Sequence, residues 1–397
     1  MPPQPIPSQP RPRPDASSTP DSSGVVSVPT GRAGLLANHV LVHARPRGIT
    51  GLIPAVDQRH SGLILCGDEP ERGLKRCREA GFKGILAIDP RAYEDGPATP
   101  EAPFTLSPDN QLFEPSLEQV LDDQREAGAD VALTPTRFIE CGDAASLKAA
   151  ARTVASLGRD DTIFSVPISI AWLNSTYIGQ LIAVLARVPM PKGLFLGAQL
   201  DPLDNVKEAV ASVRRLCAEA GPVAVFRTDF EAFDACASGA FSASIGTGGT
   251  LRHIIPPDEA ARSIVQSDRS PSVLVPDLIH FFKGSTLAKR YANATAPRCV
   301  CAVCRGRRID TFLSQSDSAA AHLHNVRIWM EWLPDLFDSD TIADRAQWWQ
   351  GRCDAALANH DVYNVQLGLR NAFQPPHALT TWAESTLRQD SLQQPTR

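Results

Sequence analysis

The sequence predicts a (β/α)8 barrel of the TIM type, followed by a cysteine-containing subdomain and a helical extension toward the C-terminus. Short apolar runs recur along the chain to a count near eight, and longer amphipathic stretches separate many of them. Such near-continuous apolar runs are typical of parallel strands that are buried on both faces. After the first run the chain reads Cys66-Gly67-Asp68, not a G-x-G-x-x-G turn, which disfavours an open nucleotide-binding sheet.

Strands and helices are predicted to alternate as a barrel requires. In chain order the predicted strands are residues 63–67, 84–89, 130–134, 162–168, 193–198, 223–227, 241–245 and, least clearly, 278–282. Apolar residues at helical spacing predict amphipathic helices between them, over 70–80, 117–127, 144–156 and 206–220.

Three other regions accompany the barrel, which is predicted to span 34–285. Residues 1–30 contain nine prolines and few large apolar side chains. Such a segment buries too little surface to offset the entropy of ordering, so it is predicted to be a disordered leader. Residues 286–385 are predicted to hold the cysteine cluster and the C-terminal helices, and 386–397 a disordered tail.

Composition narrows the class of protein. Of the 397 residues, 43% are hydrophobic and 21% charged, which excludes a wholly disordered or fibrous chain. We find neither a run of roughly 20 apolar residues, as a membrane span requires, nor the apolar core of a secretory signal. With a net charge of −5, any nucleic-acid contact must use a local basic patch. The nine cysteines, scattered apart from one cluster, favour a reducing cytoplasmic location.

That cysteine cluster is the strongest local signal. Cys299, Cys301 and Cys304 lie within six residues, and His322 and His324 follow downstream. Three thiolates and an imidazole are the ligand types of a structural Zn²⁺ site in which the protein fills all four positions. Either histidine is a candidate for the fourth ligand. Three clustered thiols without a metal are the alternative.

Basic residues surround the cluster. Seven Lys and Arg residues and no Asp or Glu occur between Leu278 and Ile309. In an acidic protein this excess predicts a phosphate-binding surface, with an ordinary solvated loop as the alternative. The residues assigned here to nucleic-acid binding are Lys289, Arg290, Arg305, Arg307 and Arg308.

Four tryptophans follow the basic region. They are Trp329, Trp332, Trp348 and Trp349. We expect these large apolar rings to pack the C-terminal helices against the barrel, in preference to stacking on bases.

The cysteine cluster, the downstream His324-Asn325 pair and the strand–helix alternation together resemble the tRNA-guanine transglycosylase family, which includes relatives that insert deazaguanines into DNA. The resemblance implies a (β/α)8 barrel with a zinc subdomain, bound by three cysteines and the histidine of the His-Asn pair. Its ligands on this sequence are Cys299, Cys301, Cys304 and His324. The family tends to dimerise near its zinc region, so a homodimer or partner contact through the C-terminal region is a further expectation.

One departure concerns the nucleophile. Family members carry a nucleophilic aspartate in the strand that corresponds to 241–245, where this chain has Ser242 and Ser244. A serine hydroxyl, with a pKa far above 7, cannot replace a carboxylate without an activating base. The nearest histidine in sequence, His253, gives no sign of serving as that base.

Two carboxylates remain as catalytic candidates. Asp89 ends a predicted buried strand, where barrels place their chemistry, and matches an aspartate of the family; a turn or capping role is the alternative. Asp229 follows the strand predicted over 223–227 and is a candidate to face the barrel mouth, whereas Asp234 is expected on a helix surface.

The functional expectation is a zinc protein that exchanges or recognises a guanine-type base in tRNA or DNA, and a pentosyltransferase if it is active. The alternative is a catalytically silent barrel that serves as a nucleic-acid-binding or partner-binding subunit. A small-molecule enzyme on a metal-stabilised barrel is a third reading. The sequence leaves open RNA against DNA, the identity of the base and the oligomeric state.

Overall fold

The computed structural model describes residues 26–106, 115–199, 202–259, 268–339 and 341–384. The predicted tail over 386–397 lies outside these described residues, as does the predicted leader up to residue 25. Both therefore stay predictions.

Eight parallel strands form a sheet that closes on itself. They are β1 (His39–Ala44), β2 (Gly62–Cys66), β3 (Ile85–Asp89), β4 (Ala132–Leu133), β5 (Thr162–Ser169), β6 (Lys192–Gly197), β7 (Val223–Thr228) and β8 (Ser242–Gly246). Their order in the sheet is β3-β2-β1-β8-β7-β6-β5-β4. Ala87 of β3 also forms a parallel bridge with Val131, just before β4. The ring is thereby closed, and the predicted (β/α)8 barrel is confirmed.

Seven of the predicted strands overlap β2 to β8, but the eighth is wrong. The missing barrel strand is β1, whose apolar part is only the three residues 40–42. The run over 278–282 lies largely in β10 (His280–Lys283), which pairs antiparallel with β9 (Ser272–Val275) outside the barrel. An apolar run this short does not reveal which core buries it. Leu278 and Phe282 pack in a second core, whereas Ile279 packs in the core of the barrel.

Seven helices accompany the barrel strands. They are α1 (Ile49–Leu52), α2 (Pro70–Glu79), α3 (Leu117–Glu126), α4 (Ala144–Ser156), α5 (Ile178–Leu185), α6 (Ala209–Glu219) and α7 (Glu231–Ala237). The four predicted helices correspond to α2, α3, α4 and α6. Two of them begin at side-chain caps: Ser116 Oγ accepts the N–H of Gln119 at 3.2 Å, and Asp143 Oδ1 accepts the N–H of Ser146 at 3.0 Å.

A smaller lobe lies beside the barrel. It contains β9, β10, the cysteine loop, α8 (Gly284–Arg290) and parts of α9 (Ser318–Met330) and α11 (Ile342–Leu367). The other two C-terminal helices, α10 (Leu333–Phe337) and α12 (His377–Ala383), pack in the core of the barrel. The apolar core of the smaller lobe includes Val273, Leu278, Phe312 and Phe373. This second core therefore begins inside the 34–285 range predicted for the barrel.

Aromatic rings join the two parts, as predicted for the tryptophans. Phe233 of α7 has its ring centroid 5.3 Å from that of Trp349 and 5.5 Å from that of Trp332. Trp329, Trp332 and Trp349 are all buried, and Trp348 packs partly buried against the same core. The four rings are used for internal packing, which leaves none of them as an exposed base-stacking platform.

Helix α11 is long enough to reach both cores. Over its 26 residues it places Trp349 in the core of the barrel and, near its end, Tyr363 and Leu367 against the core of the smaller lobe. None of the helices in the described part of the chain combines the length and the apolar character that crossing a bilayer demands.

The Phe233 contacts predict a large effect of truncation. Phe233→Ala should lower the free energy of unfolding by about 3–5 kcal/mol, because it leaves a cavity among the tryptophans. Chemical denaturation followed by tryptophan fluorescence measures the change. Val365→Ala on α11 is the control, since that side chain is 80% exposed and its loss should change stability by less than about 0.5 kcal/mol. Equal effects of the two substitutions would contradict the packing role.

Candidate functional site

Three cysteines and one histidine meet at a single point in the smaller lobe. His324 Nδ1 lies 3.4 Å from Cys299 Sγ, 3.7 Å from Cys301 Sγ and 3.3 Å from Cys304 Sγ. Around a tetrahedral ion with bonds of about 2.3 Å to sulfur and 2.0 Å to nitrogen, the S···N separation is about 3.5 Å. The four donors therefore have the spacing of ligands to one metal ion.

The backbone of β9 holds His324 in the orientation that such a ligand needs. Its Nε2 donates to the carbonyl of Leu274 at 2.9 Å, so the lone pair on Nδ1 faces the sulfurs. The neighbouring Asn325 accepts the N–H of Leu274 at 2.7 Å and donates to the carbonyl of Ser272 at 2.8 Å. The His-Asn pair thus fastens α9 to β9 and aims the imidazole. His322, the other candidate, lies outside the cluster.

A second polar cluster fills the carboxyl-terminal end of the barrel. It consists of His43 in β1, Cys66 at the end of β2, Asp89 at the end of β3, Arg227 in β7 and Ser244 in β8. Barrels of this architecture bind their ligands at this end of the strands. The five residues are between 0% and 6% exposed, so their polar groups depend on one another for partners.

Hydrogen bonds join four of these residues in a chain. The backbone N–H of Arg227 donates to Ser244 Oγ at 2.8 Å, and Ser244 Oγ lies 3.3 Å from His43 Nδ1. On its other side, His43 Nε2 lies 3.0 Å from Asp89 Oδ2. The hydrogen assignment that satisfies every contact has Ser244 donating to Nδ1 and Nε2–H donating to the carboxylate.

Asp89 is the end of this chain, and it receives further donors. The Tyr93 hydroxyl donates to Oδ2 at 2.6 Å, and the backbone N–H of Arg91 donates to Oδ1 at 3.0 Å. The Arg227 guanidinium lies 3.8 Å from Oδ2 and also donates to the Tyr93 hydroxyl. Both carboxylate oxygens are therefore engaged by groups of the same chain.

These contacts determine the ionisation states of the five-residue cluster at the carboxyl-terminal end of the barrel, which we call the mouth. Burial would raise the pKa of Asp89, but the hydrogen bond from His43, the positive charge of Arg227 and the hydrogen bond from Tyr93 outweigh it and lower that pKa. Burial is the largest influence on His43 and lowers its pKa despite the hydrogen bond to Asp89. At neutral pH the mouth therefore holds an ionised Asp89 and a neutral His43.

His43, Cys66 and Asp89 also place nitrogen, sulfur and oxygen donors within 4.8 Å of one another. A cation bound there would compete with the hydrogen-bond donors to Asp89 and meet the positive charge of Arg227 at close range. Burial in addition raises the pKa of Cys66 to about 12, which keeps the thiol protonated. These charges disfavour a metal in the mouth, whereas the three cysteines and His324 have the donors and the spacing that could hold a metal ion.

The other predicted catalytic carboxylate, Asp229, does not join the mouth cluster. Its Oδ1 accepts the N–H of Glu231 at 3.3 Å, at the start of α7, and burial raises its pKa. Asp234, expected on a helix surface, is instead 1% exposed and accepts two hydrogen bonds from Arg214, at 2.9 and 2.6 Å. That expectation is wrong because α11 packs against α7 and covers Asp234.

The five predicted nucleic-acid-binding residues divide into two groups. Lys289 and Arg305 are exposed, and neither has a carboxylate partner in the described part of the chain. The other three engage partners within the protein. Arg307 pairs with Asp317 at 2.8 Å, Arg308 pairs with Asp310, and the Arg290 guanidinium lies 4.5 Å from the centre of the Phe373 ring. The basic surface is therefore smaller than the sequence count suggests.

Sequence reasoning missed His43, Tyr93 and Arg227 as members of the site. His43 lies in the unrecognised strand β1, and the apolar run 40–42 just before it was the available signal. Arg227 ends a strand that was recognised, but a single arginine at a strand end gives no sign of its partners. Tyr93 follows Asp89 by four residues, and only the fold shows that its hydroxyl reaches back to the carboxylate.

Comparison with known proteins does not assign the chain to a family. No family model matches the chain, and no curated protein matches it. Among solved structures, it is similar to the apo form of the homocysteine methyltransferase MmuM from Escherichia coli, at 12% identity over 53% of this chain and 90% of that one, with a TM-score of 0.29. It is also similar to the carboxyl transferase domain of Rhizobium etli pyruvate carboxylase with pyruvate and biocytin, at 13% identity over 94% of this chain and 67% of that one, with a TM-score of 0.33. Likenesses this distant carry no argument about activity.

The neutral, buried His43 predicts a pH dependence of stability. The unfolded chain binds a proton on this residue near pH 6.5, whereas the folded chain excludes it, so the contribution is present above that pH and is lost as the pH falls. His43→Gln should therefore make the decline in unfolding free energy between pH 6.5 and 5 shallower, by up to about 1.4 kcal/mol per pH unit. Urea unfolding across this range measures the slope.

The same substitution at the exposed His377 controls for the loss of a histidine as such. A slope that is identical in the parent and in His43→Gln would show that His43 takes up its proton equally in both states. The assignment of a neutral imidazole beside Asp89 would then be wrong.

Proposed function

We propose that this chain is a divergent, zinc-stabilised barrel of the tRNA-guanine transglycosylase type that recognises a guanine-type base in tRNA or DNA and does not exchange it. The class rests on the resemblance of the sequence. The meeting of three cysteines with the histidine of a His-Asn pair, beside a (β/α)8 barrel, supports it. Both carboxylate oxygens of Asp89 already accept hydrogen bonds, and this observation supports the proposal that no base is exchanged.

Exchange at a glycosidic carbon needs a carboxylate that can trap the sugar and then release it. Asp89 is 2% exposed, and its oxygens already accept hydrogen bonds from His43, Tyr93 and the backbone of Arg91. A carboxylate held in this way, with a lowered pKa, is a weak nucleophile and a weak base. Its role is to hold the barrel mouth together.

Ser244 stands where the resemblance expects the nucleophile, and the structure brings it an imidazole, His43, that sequence reasoning did not find. Attack by this hydroxyl on the sugar would nevertheless give an ordinary alkyl glycoside, whose alkoxide is a poor leaving group for the second half of an exchange. Ser244 is also fully buried and accepts the N–H of Arg227. Ser242 is no substitute, because its hydroxyl donates to the carbonyl of His39 at 2.9 Å. These contacts favour a protein that recognises the base without exchanging it.

The metal in this proposal is Zn²⁺ in a structural role. The thiolates of Cys299, Cys301 and Cys304 with the Nδ1 of His324 form a complete tetrahedral set of the donor types that zinc prefers. With four protein ligands, no position is left for a reacting water, so the ion contributes to folding of the smaller lobe and not to chemistry.

The zinc assignment predicts about one equivalent of zinc per chain in the purified protein. Cys301→Ser should lose most of it and become poorly soluble, because metal binding is coupled to folding of the lobe. Elemental analysis measures the metal directly. Cys353→Ser is the matched control, since that thiol is equally buried but lies outside the cluster. A parent protein without metal, or a Cys301→Ser protein with full zinc, would contradict the assignment.

Exchange is tested by incubating the protein with labelled guanine and either tRNA or duplex DNA. We expect no incorporation by the parent, by Ser244→Ala or by Asp89→Asn, because the mouth offers no free carboxylate. Incorporation that survives Ser244→Ala and is abolished by Asp89→Asn would overturn the non-exchanging reading and identify an unconventional active site.

Binding is measured in the same samples by fluorescence anisotropy at several salt concentrations. Lys289→Gln and Arg305→Gln should each weaken binding and reduce the salt slope by about 1, whereas Arg308→Gln, whose parent residue is paired with Asp310, should have a smaller effect. If the protein binds neither tRNA nor DNA, the nucleic-acid part of the proposal fails.

A further inference from the structure

We propose that Arg91 and Arg227 form an oxyanion site at the barrel mouth, filled by the carboxylate of Glu94, and that a phosphate group of a ligand displaces this carboxylate. The two-arginine site rests on geometry alone. Its assignment to the phosphate of a nucleotide rests on the proposed function.

The side chain of Glu94 lies between two guanidinium groups. Arg91 donates to both of its oxygens, with Nε 2.9 Å from Oε1 and Nη2 bonded to Oε2. From the opposite side of the ring, Arg227 places Nη1 3.5 Å from the same Oε1. Two guanidinium groups around one carboxylate are the arrangement that arginine uses to bind carboxylate and phosphate ligands.

Both arginines have an uncommon backbone conformation. Arg91 has φ of +59° and Arg227 has φ of +55°, in the left-handed region that non-glycine residues rarely adopt. A conformation of this kind is unfavourable for a non-glycine residue and persists where the surrounding structure enforces it, often at ligand sites. Here it occurs at the ends of β3 and β7, on the face of the barrel where ligands bind.

Arg227 is fixed before any ligand arrives. Its side chain is 6% exposed, and Nη2 donates to the carbonyl of Thr250 at 3.0 Å. Its Nε–H, also buried, has no acceptor among the described residues. A buried, immobilised guanidinium with an unused donor loses little side-chain entropy when it binds an anion.

Glu94, in contrast, is a weak occupant. Its side chain is 35% exposed and its main partner Arg91 is 27% exposed, so water competes for this ion pair and its loss costs little. A phosphate monoester carries a charge of about −1.5 to −2 and three acceptor oxygens, against one charge and two oxygens for a carboxylate. Asp89 keeps its own donors from His43 and Tyr93 during the replacement. The two arginines therefore favour phosphate over Glu94.

The test is isothermal titration of the full chain with inorganic phosphate, guanosine monophosphate and guanosine. Glu94→Gln removes the internal competitor and should tighten phosphate binding by about fivefold, the equivalent of a weak surface ion pair. Arg91→Gln should weaken phosphate binding at least tenfold, since it removes the bidentate donor. Glu219→Gln, taken from the exposed Arg215–Glu219 pair, controls for the loss of a surface carboxylate and should change nothing.

Melting temperatures close to that of the parent show that the variants fold, which is expected because Arg91 and Glu94 are only half-buried. Unchanged or weaker phosphate binding in Glu94→Gln, or unaltered binding in Arg91→Gln, would overturn the oxyanion site. The expected pattern with inorganic phosphate, but no gain for guanosine monophosphate over phosphate, would leave the oxyanion site standing and refute base recognition. The two proposals therefore fail separately.

Discussion

A single buried carboxylate organises the functional end of this barrel. Asp89 neutralises Arg227 across the mouth, fixes the tautomer of His43 and anchors the hydroxyl of Tyr93. Through these partners it connects β1, β3 and β7, and through His43 it reaches Ser244 in β8. Without it, the almost wholly buried guanidinium of Arg227 would keep only the half-exposed Glu94 as a carboxylate partner, and a buried charge that loses a partner is costly in a folded protein.

The same carboxylate connects stability with function. Groups that a catalytic barrel would leave free for a substrate are here used to hold strand ends together, so rigidity in the mouth is gained at the expense of reactivity. The exchangeable charge lies one layer further out, where Glu94 and Arg91 are half-exposed. Under the proposed function, this separation between a fixed inner network and a replaceable outer pair would favour recognition over chemistry.

Much of the fold could be predicted from the sequence because buried parallel strands are locally apolar: seven of the eight barrel strands and the cysteine cluster are legible as patterns. Strand β1 was missed because its apolar part is three residues long, and with it His43 was lost. The roles of Arg227 and Tyr93 depend on which strands meet when the ring closes, and no local pattern encodes that. The sequence did not reveal that Asp310 and Asp317, just beyond the basic stretch, pair with Arg308 and Arg307.

The long helix α11 contributes side chains to the cores of both parts of the molecule, so the order of one part depends on the order of the other. At about 1.5 Å per residue its 26 residues extend for about 39 Å, so one rigid rod is embedded in two apolar cores. Because the helix is continuous, a displacement of one end from its core would also move the other end within its core. Loss of order in the smaller lobe would therefore weaken the packing of Trp349 against α7. The smaller lobe would then stabilise the barrel and would not fold as an independent module.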